Sequence, residues 1–297
     1  MRVDPFYTTN LASALDQTST MQQQLTQEIS SGVRVTSIGD DPFAAAENVQ
    51  LLGQIQGDDS FTQTSSMTQG MLQVADSALG SVVTQLNQAI SLATQANNGT
   101  LSTSDLKSAS NEIAGIRDEV LSLANTSYQG QYVFGGSQTE TAPFTLDSST
   151  TPATVTYNGD ENVNTLTAPN GQSIPINVPG DQIFTSSTAS VLGALNNLVA
   201  DYANGSSGSG VTDLASLNSA LNYVSQQRVT VDNSITRLSA ASGAASSEAT
   251  QLTAVQTNLM QADIPAIATQ LALVASQQTA LISVISGLGQ GSLFDKL

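Results

Sequence analysis

Apolar residues recur near both ends of this chain in alternating steps of three and four, the spacing of one face of an α-helix. From Ile267 the steps reach Leu271, Val274, Gln278, Leu281, Ile285 and Leu288, and six of these seven positions are apolar. Asp263 stands as the N-cap with Pro265 in the first turn, and Gly287, Gly289 and Gly291 read as the stop. From Leu214 the same steps run to Leu259, and eleven of fourteen positions are apolar. A seam held for about six heptads predicts a helix roughly 70 Å long. Arg228 interrupts that seam and is expected either to snorkel to solvent or to meet an acidic partner. Leu11, Leu15, Thr18, Gln22, Leu25 and Ile29 form a weaker seam of the same kind.

Three more helices follow from the same spacing. Residues 44–97 carry Met67, Met71, Val74, Ala78, Val82, Leu86 and Ile90 on one side. A Ser104 cap precedes Leu106, Ala109, Ile113, Ile116, Val120 and Leu123. Residues 188–203 bring Val191, Leu192, Leu195, Leu198 and Val199 together. The pattern changes in between. Ala153–Tyr157 reads as a strand that turns at Asn158-Gly159, a strong hairpin signal. Val163–Ala168 and Ser173–Val178 read as two more strands about a turn at Pro169–Gly171. The expected fold is mainly α: an elongated antiparallel helical coiled-coil bundle built from both termini, with a small inserted β domain. The outer helices have broad apolar faces and little else to cover them, which favours assembly over a free monomer.

Composition narrows the function. Only 10% of residues are charged, against about 25% in ordinary globular chains. There is no His, Cys or Trp. A Ser-His-Asp triad, a thiol nucleophile, a disulfide framework and imidazole or thiolate metal sites are therefore excluded. No catalytic residue, cofactor or metal site is expected. The net charge of −17 opposes nucleic acid and anionic lipid surfaces. Residues 264–294 carry no charge, but their longest unbroken apolar run, Leu271–Ala275, is too short for a membrane span. The start Met1–Pro5 lacks the apolar stretch of a cleaved secretory signal, so the cytoplasm is the default location unless export takes another route.

The remaining candidates for chemistry have simpler readings. Asp40-Asp41-Pro42 is an N-cap with Pro at the first helical position rather than a chelating pair. Asn158–Glu161 lacks the alternating ligands of a calcium loop and reads as a turn.

Several strings then match a known family. The segment LTQEISSGVRVTSIGDDPFAAAENVQL (25–51) resembles the N-terminal signature of flagellins and their axial relatives. The matching positions are the Ile29–Gly32 turn, Arg34, Asp40 and Asp41. GQYVFGGSQTETAPF (130–144) holds Tyr132, Phe134, Gly135 and Gly136. With 155–184 and the tail Ser292–Leu297, it narrows the resemblance to the hook–filament junction members of this flagellin-like axial family.

The resemblance implies a structural, non-enzymatic subunit of the bacterial flagellum, exported unfolded through the flagellar type III apparatus. Its partners would be copies of itself in a ring, another hook-associated protein, flagellin and a cytoplasmic export chaperone, with no nucleic acid and no membrane. Residues 1–45 plus 260–297 would form an inner terminal coiled coil, 46–130 plus 188–259 a helical bundle region, and 131–187 a small β-rich insert. The assembly interface is expected at Leu11, Leu15, Leu25 and Ile29 with Leu271, Val274, Leu281, Ile285 and Leu288, and at Phe294 and Leu297. A flagellin is the nearest alternative, and a secreted coiled-coil adhesin or translocator a more distant one.

Overall fold

The computed structural model describes residues 5–186, 189–206 and 210–290. The order of elements is α1 (Pro5–Ser31), α2 (Pro42–Ala96), α3 (Thr103–Ala124), β1 (Ser127–Tyr128), β2 (Gln131–Tyr132), β3 (Phe144–Asp147), β4 (Thr154–Tyr157), β5 (Thr165–Thr167), β6 (Ser173–Pro175), a π-helical turn (Asp181–Thr185), α4 (Val191–Ala203), α5 (Gly210–Met260) and α6 (Ile264–Gln290). The mainly helical class with a small β insert is as expected. The chain divides into two compact units, one of residues 1–56 with 248–297 and one of residues 57–247.

The 57–247 unit holds one continuous core. Leu79, Val82 and Leu86 of α2, Ile113 and Val120 of α3, Leu192, Leu195 and Leu198 of α4, and Leu217, Val224, Val231 and Leu238 of α5 are all buried in it. The α5 seam falls where its spacing places it. Arg228 meets an acidic partner, with Nε 2.8 Å from Asp76 Oδ1 and Nη2 3.0 Å from Asp76 Oδ2. On α2, Met67 is exposed, contrary to expectation, and Phe61, Ser65, Thr68 and Leu72 face inward instead. Apolar residues flank both sides of that helix, so its period leaves the choice of face to the packing partners. The start of α3 also differs. Ser102, not Ser104, is the cap, because Asp105 stands three residues after Ser102 and closes a capping box.

Asp213, near the start of α5, is buried beside Asp201 of α4. Burial, then the hydrogen bond and charge of Asp201, push its carboxyl up to about 6.

The β insert pairs differently from the sequence reading. β4 does not turn back at Asn158-Gly159. It pairs antiparallel with β3, Phe144 opposite Tyr157 and Asp147 opposite Thr154. β5 and β6 form the expected hairpin about Pro169–Gly171. The reason is an aromatic core that captures Tyr157. Phe144 lies 5.0 Å from Tyr157 and 5.2 Å from Phe184, and Phe134 lies 5.3 Å from Phe184, edge to face. The Tyr157 hydroxyl sits 3.0 Å from Phe134 O and 2.9 Å from Asp160 O, and burial pushes its pKa up to about 12. Asn158-Gly159 is then committed to a bend around this core. Asp160 accepts from Ser137 N at 2.8 Å, from the Ser137 hydroxyl and from Asn162 N at 3.1 Å. The Ser137 bonds hold its carboxyl down at about 2.

Candidate assembly surface

The 1–56/248–297 unit is built on α1 packed against α6. Leu25 is buried with Ala262, Ile267 and Val274, and Ile29 and Leu271 pack against this cluster. Further along, Ala14, Thr18 and Met21 face Gln277, Leu281 and Val284 across an apolar groove of about 550 Å³. Rising numbers on one helix meet falling numbers on the other, so the pair is antiparallel.

A turn-to-turn clamp closes one end of the pair. Gly32 takes a positive φ of 69°, the left-handed position that ends α1. Arg34 then lies against the last turn of α5. Its N–H donates to Met260 O at 2.7 Å and its Nη2 to Leu259 O at 3.3 Å. Its Nη1 reaches Asp41 Oδ2 at 3.0 Å. A cation at the end of α5 also suits the negative end of the helix dipole. Ala262 N returns to Gly32 O at 3.0 Å. Asp40 accepts from Thr36 N and Ser37 N at 3.0 and 2.8 Å, and these bonds lower its pKa. Asp41 Oδ1 accepts from Ala44 N at 3.0 Å and caps α2. Its pKa is lowered by the Ala44 N–H and then by Arg34. Both carboxylates are thus in use by the backbone. Asp263 likewise caps α6 through Ala266 N at 3.1 Å.

The expected interface residues fall on this pair. Leu25 and Val274 are buried, Leu11, Leu15, Ile29, Leu271 and Leu281 are half-buried, and Ile285 is exposed. Burial therefore fades from the clamp toward the start of α1. α6 runs through Gly287 and Gly289 to Gln290, so those two glycines do not end it as expected. The side chain of Leu288, and Phe294 and Leu297 altogether, lie outside the described residues.

The sequence reading missed a second apolar set on the outer faces. Leu273 is 59% exposed and Ile282 52%, with Ile264 and Val284 nearby in sequence. Phe43 is 76% exposed and Ile38 75%. Of the seventeen exposed large apolar side chains among the described residues, thirteen lie in this unit, although it is the smaller one. The signal was present in α6, where large apolar residues stand off the seam as well as on it. Contrary to the reading from its short unbroken apolar run, Ile264–Gly287 is long and apolar enough to cross a membrane by length and composition, and only 11% of its most apolar 18-residue window is buried. No group of three or more acidic side chains among the described residues has metal-binding geometry.

The insert explains the remaining motif residues. Phe134 is buried in the aromatic core. A Cβ on Gly135 would lie 2.2 Å from Gln138 O, and one on Gly136, whose φ is 70°, would lie 2.2 Å from Asp160 O. Tyr132 is half-buried beside them.

Comparison with known proteins agrees with this architecture. Residues 6–139 match the bacterial flagellin N-terminal helical region. The chain is 34% identical over 171 residues to flagellar hook-associated protein 3 of Salmonella typhimurium, covering 57% of this chain and 52% of that protein. It is 34% identical over 168 residues to flagellar hook-associated protein 3 of Escherichia coli, covering 56% and 51%. The chain thus matches about half the length of these curated relatives. Flagellins match at 28–33% over 104–138 residues. In fold, the chain is similar to a flagellar hook-associated protein structure from Vibrio parahaemolyticus, with a TM-score of 0.65 and 20% identity over 75% of this chain and 100% of that one. The resemblance read from residues 25–51 and 130–144 is therefore borne out, and it is to hook-associated protein 3 more than to flagellin.

Proposed function

We propose, from its likeness to hook-associated protein 3, that this chain is a structural subunit of the bacterial flagellum that joins hook to filament. It works by packing and catalyses no reaction. The observation that carries the reading is the excess of exposed apolar side chains in the unit built on α1 and α6. Covering one such side chain is worth about 1.5–3 kcal/mol. Association costs about 4–15 kcal/mol in lost freedom. One exposed leucine cannot drive assembly, but several covered together can. The groove between α1 and α6 carries no charged side chain, so a neighbour seated there would desolvate no ion.

In this reading residues 1–45 and 260–297 form the assembly layer, residues 46–130 and 188–259 the helical bundle region, and 131–187 a β insert. Leu11, Leu15, Leu25 and Ile29 with Leu271, Val274, Leu281 and Ile285 hold the helix pair that presents the surface. Leu288, Phe294 and Leu297 take part in assembly in the same reading. The partners are copies of the chain in a ring, another hook-associated protein and flagellin. A cytoplasmic chaperone covers the apolar C-terminal helix before export through the type III route. The protein's working place is the flagellum, outside the cell.

The test is to add the purified chain to isolated hooks, with and without the preceding hook-associated protein, and to examine them by electron microscopy. A thin terminal band that stops growing is expected. Long filaments would instead establish a flagellin, the alternative supported by the matches to flagellins. Leu281→Asp places a charge in the α1–α6 groove and is expected to abolish incorporation, while circular dichroism and the urea midpoint of the 57–247 core stay unchanged. Normal incorporation of that variant would remove the C-terminal helix from the mechanism.

A further inference from the structure

A second cavity, of about 370 Å³, lies wholly within the 57–247 unit. One wall is α2 at Thr64–Met71, another is the β1–β2 hairpin, and the third is the insert around Asn164 and Ile176. Its volume falls in the lower part of the ~300–1,000 Å³ range of small-molecule sites.

No charged side chain lines the cavity. An anion would find no cation there and a cation no carboxylate, so the cavity suits a neutral ligand. Tyr128, Gln129, Gln131, Tyr132 and Asn164 supply two phenols and three carboxamides, with Met71 beside them. The three carboxamides are exposed and the two phenols half-buried, and none of these side chains hydrogen-bonds another described residue. Each carboxamide can offer two donors and an acceptor, and each phenol one of each kind.

Two features fix the hairpin that carries Tyr128 and Gln129. Gly70 lets the Tyr128 phenol lie on the backbone of α2, since a Cβ there would come within 2.6 Å of the Tyr128 oxygen. Gln129 has a φ of 50°, and is the only non-glycine residue with positive φ among the described residues. Tyr132, the remaining member of its motif, turns its side chain to the cavity. Phe134 fills the aromatic core, and Gly135 and Gly136 permit close backbone approaches.

The hairpin backbone is already occupied. Tyr132 N donates to Thr139 O at 2.8 Å and Val133 N to Thr126 O at 3.0 Å. A peptide added as a further strand would find these donors taken. Recognition must come from side chains: aromatic rings for an apolar C–H face and carboxamides for hydroxyl groups. We propose that this cavity binds a neutral saccharide, its ring seated against Tyr128 and Tyr132 and its hydroxyls bonded to Gln129, Gln131 and Asn164.

The test is saturation-transfer difference NMR on the full chain with maltose, cellobiose and diacetylchitobiose as probes. Signal transfer to at least one of the three is expected. It should vanish in Tyr132→Ala and weaken several-fold in Gln129→Gly. The glycine variant is compatible with the positive φ, so it removes the carboxamide without straining the backbone, and it decides the matter if Tyr132→Ala misfolds. No transfer to any probe would overturn the proposal. So would transfer that is equal in the parent chain and Gln129→Gly.

Discussion

Asp213 is the residue whose surroundings most oppose its usual state. Its carboxyl is buried beside Asp201 and titrates near 6 rather than 3.8. The native chain therefore holds this proton more tightly than the unfolded chain does. The group's contribution to stability is full below about pH 4 and is lost as pH rises through about 6. Asp213→Asn keeps a neutral group at every pH. The variant is expected to be about 1–3 kcal/mol more stable than the parent at pH 7.5 and no more stable at pH 4. Urea unfolding at the two pH values checks this, and equal midpoints at pH 7.5 would sink it. Asp160 has the opposite sign, because its bonds to Ser137 are lost only as pH falls from about 4 to about 2. Neither shift was legible in the sequence. Asp213 carries no mark of it there, and only the fold brings Asp201 of α4 to it.

At the scale of elements, the seams were legible and the strand pairing was not. The α5 seam from Leu214 to Leu259 needed no tertiary knowledge, whereas α2, apolar on both sides, did not declare its buried face. Asp41 and Asp263 were likewise readable as caps because a cap bonds only its own first turn. The partner of β4 depended on three aromatic rings far apart in sequence, and the local Asn158-Gly159 signal lost to them. The clamp at Arg34 sits between these cases. Its residues were legible as a family string, but their purpose, fastening the α1–α2 connection to the α5–α6 connection, required the fold. Arg34 and Asp41 are both partly exposed, so water and salt screen the ion pair and it adds little to stability. Arg34→Ala is therefore expected to leave the urea midpoint nearly unchanged. The Ala262 amide, bonded to Gly32 O across the clamp, should exchange with deuterium markedly faster. Unaltered exchange there would mean that the backbone bonds alone hold the two turns.

Taken whole, the molecule distributes its apolar contacts unevenly. The 57–247 unit buries a long continuous core, whereas the helix pair of the other unit buries a small cluster and leaves large side chains in water. Opening free energies follow buried contacts. Amides of α1 and α6 are thus expected to exchange well before those of α3 and α4 in the isolated monomer. Hydrogen–deuterium exchange read by mass spectrometry would show it, and uniform protection across all four helices would contradict it. The composition had already hinted at this division, since residues 264–294 carry no charge to keep a bare surface dissolved. The packing adds that Leu273, Ile282 and Val284 of α6 stay exposed.

The antiparallel pairing of α1 with α6 also has a consequence in time. α1 emerges first from the ribosome, and α6 follows more than 200 residues later. Until then α1 has no partner in its own chain, while α2, α3 and α4 can begin to pack among themselves. Joining the pair requires closing a loop of more than 200 residues, and such non-local contacts form late. α1 must therefore wait for its partner until α6 has been synthesised.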